Sequence, residues 1–307
     1  MGGHTHSHGP AVGADHRRRL LVVLAVTTAI LVVEVVGAVV SGSLALLADA
    51  GHMLTDAVGL LIAYIAATLA TRPATSARTW GYQRAEVLAA TLQAAVLLAV
   101  GAFILVEGVR RLITPPEVGS TAMVVFGIIG LLGNAACLLV LTGAKDRNFN
   151  MQAAFLEVVN DALGSVAVLV AAVVIATTGW LRADAVVSIL IGLLILPRTL
   201  RLLRETVRVL LESTPRGLDL DAVRARLLAV PHVHGVHDLH ATQIATGLPV
   251  LTAHVVVDDS CFRDGHAPQI LDELQDSVAR EFDVSVEHST FQLETVAHAA
   301  HEHTGHA

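Results

Sequence analysis

The stretch SLALLADAGHMLTD, residues 43–56, decides both the fold and the chemistry of this chain. It is apolar enough to lie in a bilayer, yet it carries His52 and Asp56 four residues apart. On a helix, residues four apart lie on nearly the same face, about 6 Å apart along the axis. A carboxylate at the bilayer centre costs roughly 2.5–3.5 kcal/mol even on the most favourable scale, so its presence there indicates a function.

A second pair with the same spacing, Glu157 and Asp161, lies in another apolar stretch. If the two helices pack together, the four side chains supply one imidazole and three carboxylates, which is a complete shell for a four-coordinate cation. Zn²⁺ accepts such nitrogen and oxygen ligands in tetrahedral geometry. A closed shell, with no bound water and no general base, suits a site that carries an ion better than one that catalyses hydrolysis. The alternative, hydrogen bonding between helices, does not need four ionisable groups in two identical spacings.

The composition is typical of a membrane protein. Of 307 residues, 54% are hydrophobic and only 15% are charged, whereas soluble domains have about 25% charged residues. Six apolar runs are each near 20 residues or longer, which is the length that crosses a bilayer. We therefore predict an α-helical polytopic membrane domain of six transmembrane helices, at about 20–40, 44–70, 86–112, 120–143, 151–178 and 184–210.

Charge patterning predicts the orientation and excludes two classes of function. Arginines concentrate before the first run, in alternate connections and at the end of the sixth run. The positive-inside rule then places both termini in the cytoplasm. We expect the chain to lie in the cell (cytoplasmic) membrane. The basic residues do not cluster on a soluble face, so the sequence does not indicate nucleic-acid binding. Lys145 is the only lysine and lies outside any Gly-Lys-Ser/Thr loop, which excludes ATP-driven transport by this chain.

Residues 213–296 have the pattern of a soluble domain that follows the transport domain at 17–212. Helical spacing alternates with strand patterns in the order αββαβ, which predicts a small α+β ferredoxin-like cytosolic domain. The helices are expected at 218–230 and 269–282, and the strands at 236–244, 250–257 and 289–296, with a turn at 246–249.

Both tails, 1–16 and 297–307, are rich in histidine and too polar to fold alone. The repeated His-x-His spacing favours loose zinc binding that raises the local metal concentration. Solubilising tails of the same composition are the alternative.

Four stretches resemble the cation diffusion facilitator family, whose zinc-type members are proton-coupled metal exporters. Residues 43–56 resemble its second transmembrane helix, and AFLEVVNDALGS, residues 154–165, resembles its fifth. The stretch WGYQRAE, residues 80–86, is similar to the loop entering helix three, and LLESTP, residues 210–215, to the exit from helix six. The likeness covers about residues 18–296.

The resemblance implies a homodimer of six-helix subunits, a transporter and not an enzyme, that exchanges a divalent cation for protons. His52, Asp56 and Asp161 match family ligands, and Glu157 stands where zinc-type members usually carry His or Asp. Zn²⁺ is the first choice as the transported and regulatory ion. Manganese, cobalt, cadmium and ferrous iron remain alternatives because three carboxylates make the site harder.

The resemblance also implies a cytosolic metal site at the dimer interface, at positions matched by His237, His254, His266 and His288. The family often adds an Asp two residues after the last His, where this chain has Thr290. Surface histidines without metal are the alternative. Cys261 in the same domain is either a further metal ligand or a free thiol.

Proton coupling follows from the ligands, because metal binding requires a neutral imidazole and deprotonated carboxylates. We hypothesise that His52 and Asp161 carry much of the exchanged proton load. Asp49, one turn before His52, has two equal interpretations: a carboxylate that supports ion entry, or a hydrogen bond to a neighbouring helix. An intramembrane metalloenzyme would need a His-Glu-x-x-His string, which is absent. A membrane metal sensor without transport remains open.

Overall fold

The computed structural model describes residues 14–70, 72–142 and 149–301, so most of both histidine-rich tails lies outside the described residues. Six long helices come first, and each covers one of the six predicted spans. They are α1 (Ala14–Ser41), α2 (Leu44–Ala70), α3 (Arg84–Ile113), α4 (Ser120–Thr142), α5 (Phe149–Thr178) and α6 (Arg182–Leu210).

Glycine and proline set the helix boundaries. Gly42 and Gly179 follow α1 and α5 with φ values of 71° and 69°, a conformation that side chains disfavour. The amide of Gly42 donates to the carbonyl of Ala38 at 2.9 Å, closing the end of α1. Pro115 and Pro116 follow the end of α3 and cannot continue a helix. Helix α6, in contrast, continues through Pro197.

The helices present apolar side chains outward. Five helices among the described residues have the length and apolarity to cross a membrane, namely α1 and α3 to α6; the described apolar stretch of α2 is Leu44–Leu54. Val39, Leu139 and Leu194 are each more than 75% exposed. Apolar side chains on the outside suit a surrounding of lipid. The predicted helical membrane fold is confirmed.

The first of two compact units comprises the described residues up to Leu61 together with Gln93–Arg201. Within it, α4 packs against both α1 and α5. Gly37 of α1 lies against Phe126 of α4, and Gly127 of α4 lies against Leu169 of α5. Small residues allow helices in a membrane to approach closely, since lipid supplies no hydrophobic force between them.

The second unit comprises Ile62–Leu92 and the described residues from Leu202 onward. Its cytosolic domain forms a three-stranded sheet in the order β1-β2-β3, with β1 and β2 antiparallel and β2 and β3 parallel. The predicted αββαβ order is confirmed, with two additional short helices. The elements are α7 (Leu220–Leu228), β1 (Val233–Ala245), β2 (Leu248–Val257), α8 (Cys261–Asp264), α9 (Ala267–Arg280), β3 (His288–Glu294) and α10 (Val296–Ala299).

One turn is shorter than predicted. Thr246 and Gly247 alone connect β1 to β2, and Leu248 already pairs with Ala245. Gly247 has a φ of 73°, which permits a two-residue hairpin turn. Pro249 was expected in the turn, but it lies in β2.

The core of the cytosolic domain is buried between the sheet and the helices α7 and α9. Leu227 of α7, Leu251 of β2 and Leu274 of α9 are all fully buried in one apolar cluster. Asp219 caps α7 by accepting hydrogen bonds from the amides of Asp221 and Ala222. The hydrophobic face of each helix therefore sets its position on the sheet.

The stretch 80–86 links the start of α3 to the cytosolic domain within the second unit. Arg84 pairs with Glu212, just after α6, at 2.8 Å. Glu86 accepts a hydrogen bond from the hydroxyl of Thr246 in the β1–β2 turn, also at 2.8 Å. Side chains at the start of α3 thus contact both the exit of α6 and the sheet.

Candidate metal sites

Helices α2 and α5 contact each other at Asp49. A Cβ atom added at Gly164 would overlap Oδ1 of Asp49, so α5 can approach only because residue 164 is glycine. The hydroxyl of the next residue, Ser165, donates to Oδ2 of Asp49 at 3.5 Å. Asp49 is only 2% exposed.

A shared apolar cluster indicates that α2 and α5 run antiparallel. Ala45 and Leu46 of α2 belong to the same buried cluster as Ala171 and Ala172 of α5. On α2 these residues precede Asp49 by about one turn, and on α5 the two alanines follow Ser165 by about two turns. As residue numbers increase along α2, the numbers of the neighbouring residues on α5 therefore decrease.

This register relates the two pairs that the sequence singled out. From the contact of Asp49 with Ser165, one turn along α2 reaches His52, and one turn back along α5 reaches Asp161. A further turn in each direction reaches the levels of Asp56 and Glu157. The helix positions of all four residues therefore match in height.

The side chains are described for two of these four residues. Asp161 is 3% exposed and His52 is half-buried, and each interacts with other groups of the protein. The side chains of Asp56 and Glu157 lie outside the described part of the structure. A shared four-ligand site thus stays a prediction, supported by the helix register.

A buried polar cluster lies next to this level, formed by Glu34, Asp49, Asn134 and Ser165. Asn134 of α4 donates to the hydroxyl of Ser165 at 3.3 Å. Glu34 of α1 lies within electrostatic range of both Asp49 and Asp161. Its carboxylate fits against α4 because residue 130 is glycine, where a Cβ would lie 2.6 Å from Oε1 of Glu34.

Sequence reasoning found only part of this cluster. Asp49 makes the hydrogen bond to a neighbouring helix that was one of its two interpretations. Glu34 was not singled out as a site residue, yet it is 1% exposed and packs against Gly130 of α4. The available signal was an ionisable residue inside a long apolar run.

Asp184, at the start of α6, holds the start of α2. Its carboxylate accepts from the hydroxyl of Ser43 at 2.5 Å and from the amides of Leu44 and Ala45 at 2.8 and 3.1 Å. Arg111 lies 3.7 Å from the same carboxylate. Asp184 therefore caps α2 from another helix, satisfying amides that have no partner within the helix.

In the cytosolic domain, the structure brings together His237, His254 and Glu294. His237 of β1 lies opposite His254 of β2, and their rings are 5.1 Å apart. Nε2 of His237 contacts one carboxylate oxygen of Glu294, and Nδ1 of His254 is 3.9 Å from the other. The three ligand atoms lie within 4.8 Å of one another. One carboxylate and two imidazoles suit zinc or a similar ion.

Two of the four predicted cytosolic ligands lie elsewhere. The ring of His288 meets Trp80 edge-on at 5.5 Å. His266 pairs with Asp264 at 2.9 Å, and the hydrogen bond from His266 holds the pKa of the Asp264 carboxyl below its usual value. Neither belongs to the cluster around Glu294.

Glu294 was missed by sequence reasoning, which sought a carboxylate at Thr290. Strand β3 continues four residues further and pairs Glu294 with Val256, two positions beyond His254 on β2. Two positions along a strand return the side chain to the same face. The signal was present in the alternation of β3, but only the strand register assigns it.

Comparison with known proteins identifies the family. A model of the cation efflux transmembrane domain matches residues 20–211, and a model of the cation efflux protein cytoplasmic domain matches residues 215–296. Together they match most of the chain, which therefore belongs to the cation diffusion facilitator family. It is a multi-pass membrane protein of a family that exports divalent metal cations.

Three curated relatives illustrate the range of the family. The chain is 42% identical to the metal cation efflux system protein CzcD of Cupriavidus metallidurans, over 95% of this chain and 90% of that protein. It is 40% identical to the zinc transporter ZitB of Escherichia coli, over 95% and 91%. It is 34% identical to the cadmium, cobalt and zinc/H(+)-K(+) antiporter of Bacillus subtilis, over 96% and 93%.

Among solved structures, the metal-bound C-terminal domain of the CzcD transporter is 36% identical to this chain. The match covers 25% of this chain and 99% of that domain, with a TM-score of 0.22.

Proposed function

We propose that this protein exports Zn²⁺ from the cytoplasm in exchange for protons, with His52, Asp56, Glu157 and Asp161 as the transport ligands. The observation that carries the proposal is the contact of α5 with Asp49 of α2, from which the helix period predicts similar heights for the two pairs. The buried polar cluster beside them keeps α2 and α5 in contact at that level.

The choice of ion rests on ligand chemistry and on relatives. An imidazole and three carboxylates form a borderline-hard site that accepts zinc and also cobalt, cadmium or manganese. ZitB is named as a zinc transporter, and the Bacillus subtilis relative is named for cadmium, cobalt and zinc. Zinc is common to both names.

Proton exchange is the expected driving force, because each ligand must release its proton before it binds a metal ion. Protons that enter from outside then compete with the ion and release it. His52 and Asp161 carry much of this proton load in our proposal. Alternating access would expose the site first to one side and then to the other.

We further propose that the protein acts as a homodimer in the cell membrane with both termini in the cytoplasm. The match to the family's cytoplasmic domain and the positive-inside rule support this arrangement. Metal bound by His237, His254 and Glu294 would draw the two cytosolic domains together and bias the transport cycle.

A vesicle flux assay tests the transport site. Purified protein in proteoliposomes should take up labelled zinc when the vesicle interior is more acidic than the outside, because protons then leave as zinc enters. Asp161→Asn should lower the flux at least about tenfold, since a lost metal ligand is costlier than a lost supporting group. Asn160→Ala, an exposed neighbour on the same helix, is the control and should leave the flux unchanged. A zinc flux that does not depend on the pH difference across the vesicle membrane would contradict the proton coupling.

A metal panel in the same assay tests the role of residue 157. Glu157→His replaces a hard oxygen ligand by a borderline nitrogen, so preference should move from manganese toward zinc. An unchanged order of metals would show that residue 157 does not contact the ion.

A further inference from the structure

A second group of potential ligands, formed by His232, Asp258 and Cys261, lies where β1 begins and β2 ends. Nδ1 of His232 lies 3.0 Å from Oδ2 of Asp258. The imidazole nitrogen, a carboxylate oxygen and the sulfur lie within 4.8 Å of one another. None of these residues belongs to the site around Glu294.

The backbone brings the three residues together. Asp258 follows β2 directly, and its amide donates to the carbonyl of His232, just before β1, at 3.2 Å. The amide of Cys261 donates to the carbonyl of Asp258 at 3.0 Å, so Cys261 starts α8 one turn later. Residues from two distant parts of the sequence are therefore held by main-chain hydrogen bonds.

His232 has an unusual conformation. Its φ is 69°, in the left-handed region that favours glycine and strains residues with a side chain. The surrounding structure therefore stabilises a strained residue at the point where its imidazole meets Asp258. A strained residue that directs a potential ligand is a recurrent feature of functional sites.

Neighbouring side chains support the group. Nε2 of His234 lies 2.7 Å from Oδ1, the second carboxylate oxygen of Asp258. A partner of this kind orients a ligating carboxylate. The hydrogen bonds from His234 and His232 hold the pKa of Asp258 below its usual value. The ring of His266 stacks on that of His232 at 5.8 Å.

We propose that His232, Asp258 and Cys261 form a second cytosolic metal site that binds Zn²⁺ or Cd²⁺, with water in the fourth position. Tetrahedral zinc separates neighbouring ligand atoms by about 3.3–3.8 Å, given Zn–N and Zn–S distances of about 2.0–2.3 Å. Small rotamer adjustments therefore suffice to close the group around an ion. A thiolate ligand selects these softer ions over magnesium, calcium and manganese.

The site differs from the transport site and from the His237 cluster in having sulfur. Bound metal would tie the start of β1 to the start of α8, two segments that otherwise share the main-chain bond between His232 and Asp258. The inference goes beyond the proposed transport function, and its test measures binding without transport.

Cobalt substitution tests the site in the purified full-length protein, stripped of metal and kept reduced. Cobalt bound by a thiolate gives a sulfur-to-metal charge-transfer absorption that oxygen and nitrogen ligands do not give. We expect this band on adding Co²⁺, and its loss on adding Zn²⁺. The band should persist in Cys137→Ser, which removes the chain's other cysteine, and in His237→Ala, which breaks the other cluster.

The band should disappear in Cys261→Ser. Because Cys261 is 1% exposed and contributes to the core, Asp258→Asn provides a surface variant that keeps the volume of the side chain. Asp258→Asn should lower the cobalt affinity read from the band at least about tenfold, and His234→Ala by about 10–100-fold.

Two results would overturn the proposal. One is the absence of a charge-transfer band in the native chain at saturating Co²⁺. The other is a band whose affinity is unchanged in Asp258→Asn, because the histidines and Asp258 would then form ion pairs only.

Discussion

At the scale of single residues, glycines determine where charged groups can lie in the membrane domain. Gly164 leaves the space that Asp49 occupies between α2 and α5, and Gly130 leaves the space for Glu34 beside α4. A carboxylate in this region needs polar groups within reach, and Asp49 has Ser165, whose hydroxyl in turn accepts from Asn134. The small residues and the buried acids therefore form one arrangement.

Gly164→Ala should weaken this arrangement. The added methyl group would overlap the Asp49 carboxylate, and overpacking of a tight contact costs about 1–3 kcal/mol. We expect a lower thermal midpoint in detergent and a lower zinc flux in vesicles.

Gly119→Ala is the matched control for this change, since the nearest atom to its added Cβ lies 3.6 Å away. It should leave both measurements unchanged. Equal effects of the two variants would show that the contact at Asp49 is not critical.

A second prediction concerns the ion pair between Arg226 and Glu281. Nη2 of Arg226 donates to Oε1 of Glu281 at 2.8 Å. The hydrogen bond from Arg226 holds the pKa of Glu281 below its usual 4.5. A lowered folded-state pKa stabilises the fold above the unfolded value, and this contribution is lost as pH falls through the folded value. Glu281→Gln should therefore be less stable than the native chain at neutral pH and equally stable in acid.

Urea unfolding of the cytosolic domain, followed by circular dichroism across this pH range, measures the difference. The effect should be small and should decrease with salt because both side chains are exposed to solvent. Glu287→Gln, at another exposed position of the domain, is the control. A difference that grows toward low pH would have the wrong sign and would reject the ion pair as its source.

At the scale of secondary-structure elements, the N-terminus of α2 depends on another helix. The amides of Leu44 and Ala45 donate to Asp184 of α6. Arg111 of α3 donates to the carbonyl of Gly42, just before α2, at 2.7 Å. The helix that carries His52 and Asp56 is therefore positioned by α3 and α6 at its first turn.

Asp184→Ala should destabilise the membrane domain. Loss of an N-cap typically costs about 0.5–2 kcal/mol, and Asp184 is 1% exposed, so water cannot easily replace it. Thermal unfolding in detergent should show a lower midpoint. Asp184→Asn keeps one acceptor oxygen and should lose less stability than alanine; equal losses would mean that capping is not the cause.

The elements themselves were largely predictable, whereas their partners were not. Apolar runs predicted all six long helices, because each run is near 20 residues or longer and ends at glycine, proline or charge. The cap from Asp184 to Ser43 spans 141 positions, a distance at which local patterns carry no information. Glu294 was missed for a related reason, since its neighbours follow from the pairing of β2 with β3.

The candidate transport site shows the same limit. The spacing of four within each pair follows from the helix period, so His52 with Asp56 and Glu157 with Asp161 could be found from sequence. The prediction that the two pairs lie at one height needs the contact of Asp49 with Ser165, which the sequence does not show. The same distinction holds for His237 and His254, which strand register places opposite each other.

At the scale of the whole molecule, the cytosolic domain offers two separate groups of metal ligands. The group at His237, His254 and Glu294 lies on the sheet, and the proposed group at Cys261 lies beyond the end of β2. Glu294 is 3% exposed, so its charge requires partners in the folded state. A bound cation would satisfy that requirement better than the two imidazoles alone.

Glu294→Gln should therefore lower cytosolic metal affinity at least about tenfold, because a neutral amide is a poor ligand. Isothermal titration of zinc into the purified full-length protein should show the loss of one class of site. His240→Gln, at an exposed position of β1, is the control and should retain that class. Unchanged binding in Glu294→Gln would exclude this cluster as a metal site.

Helix α6 contains one further feature with a mechanical consequence. Proline has no amide hydrogen, so Pro197 cannot donate the helical hydrogen bond to the carbonyl of Leu193, four residues earlier. Leu193 and Leu194 face outward at this level, where lipid offers no donor in exchange. One backbone hydrogen bond is therefore missing at Pro197. Bending α6 at this point should cost less energy than bending it elsewhere along the helix.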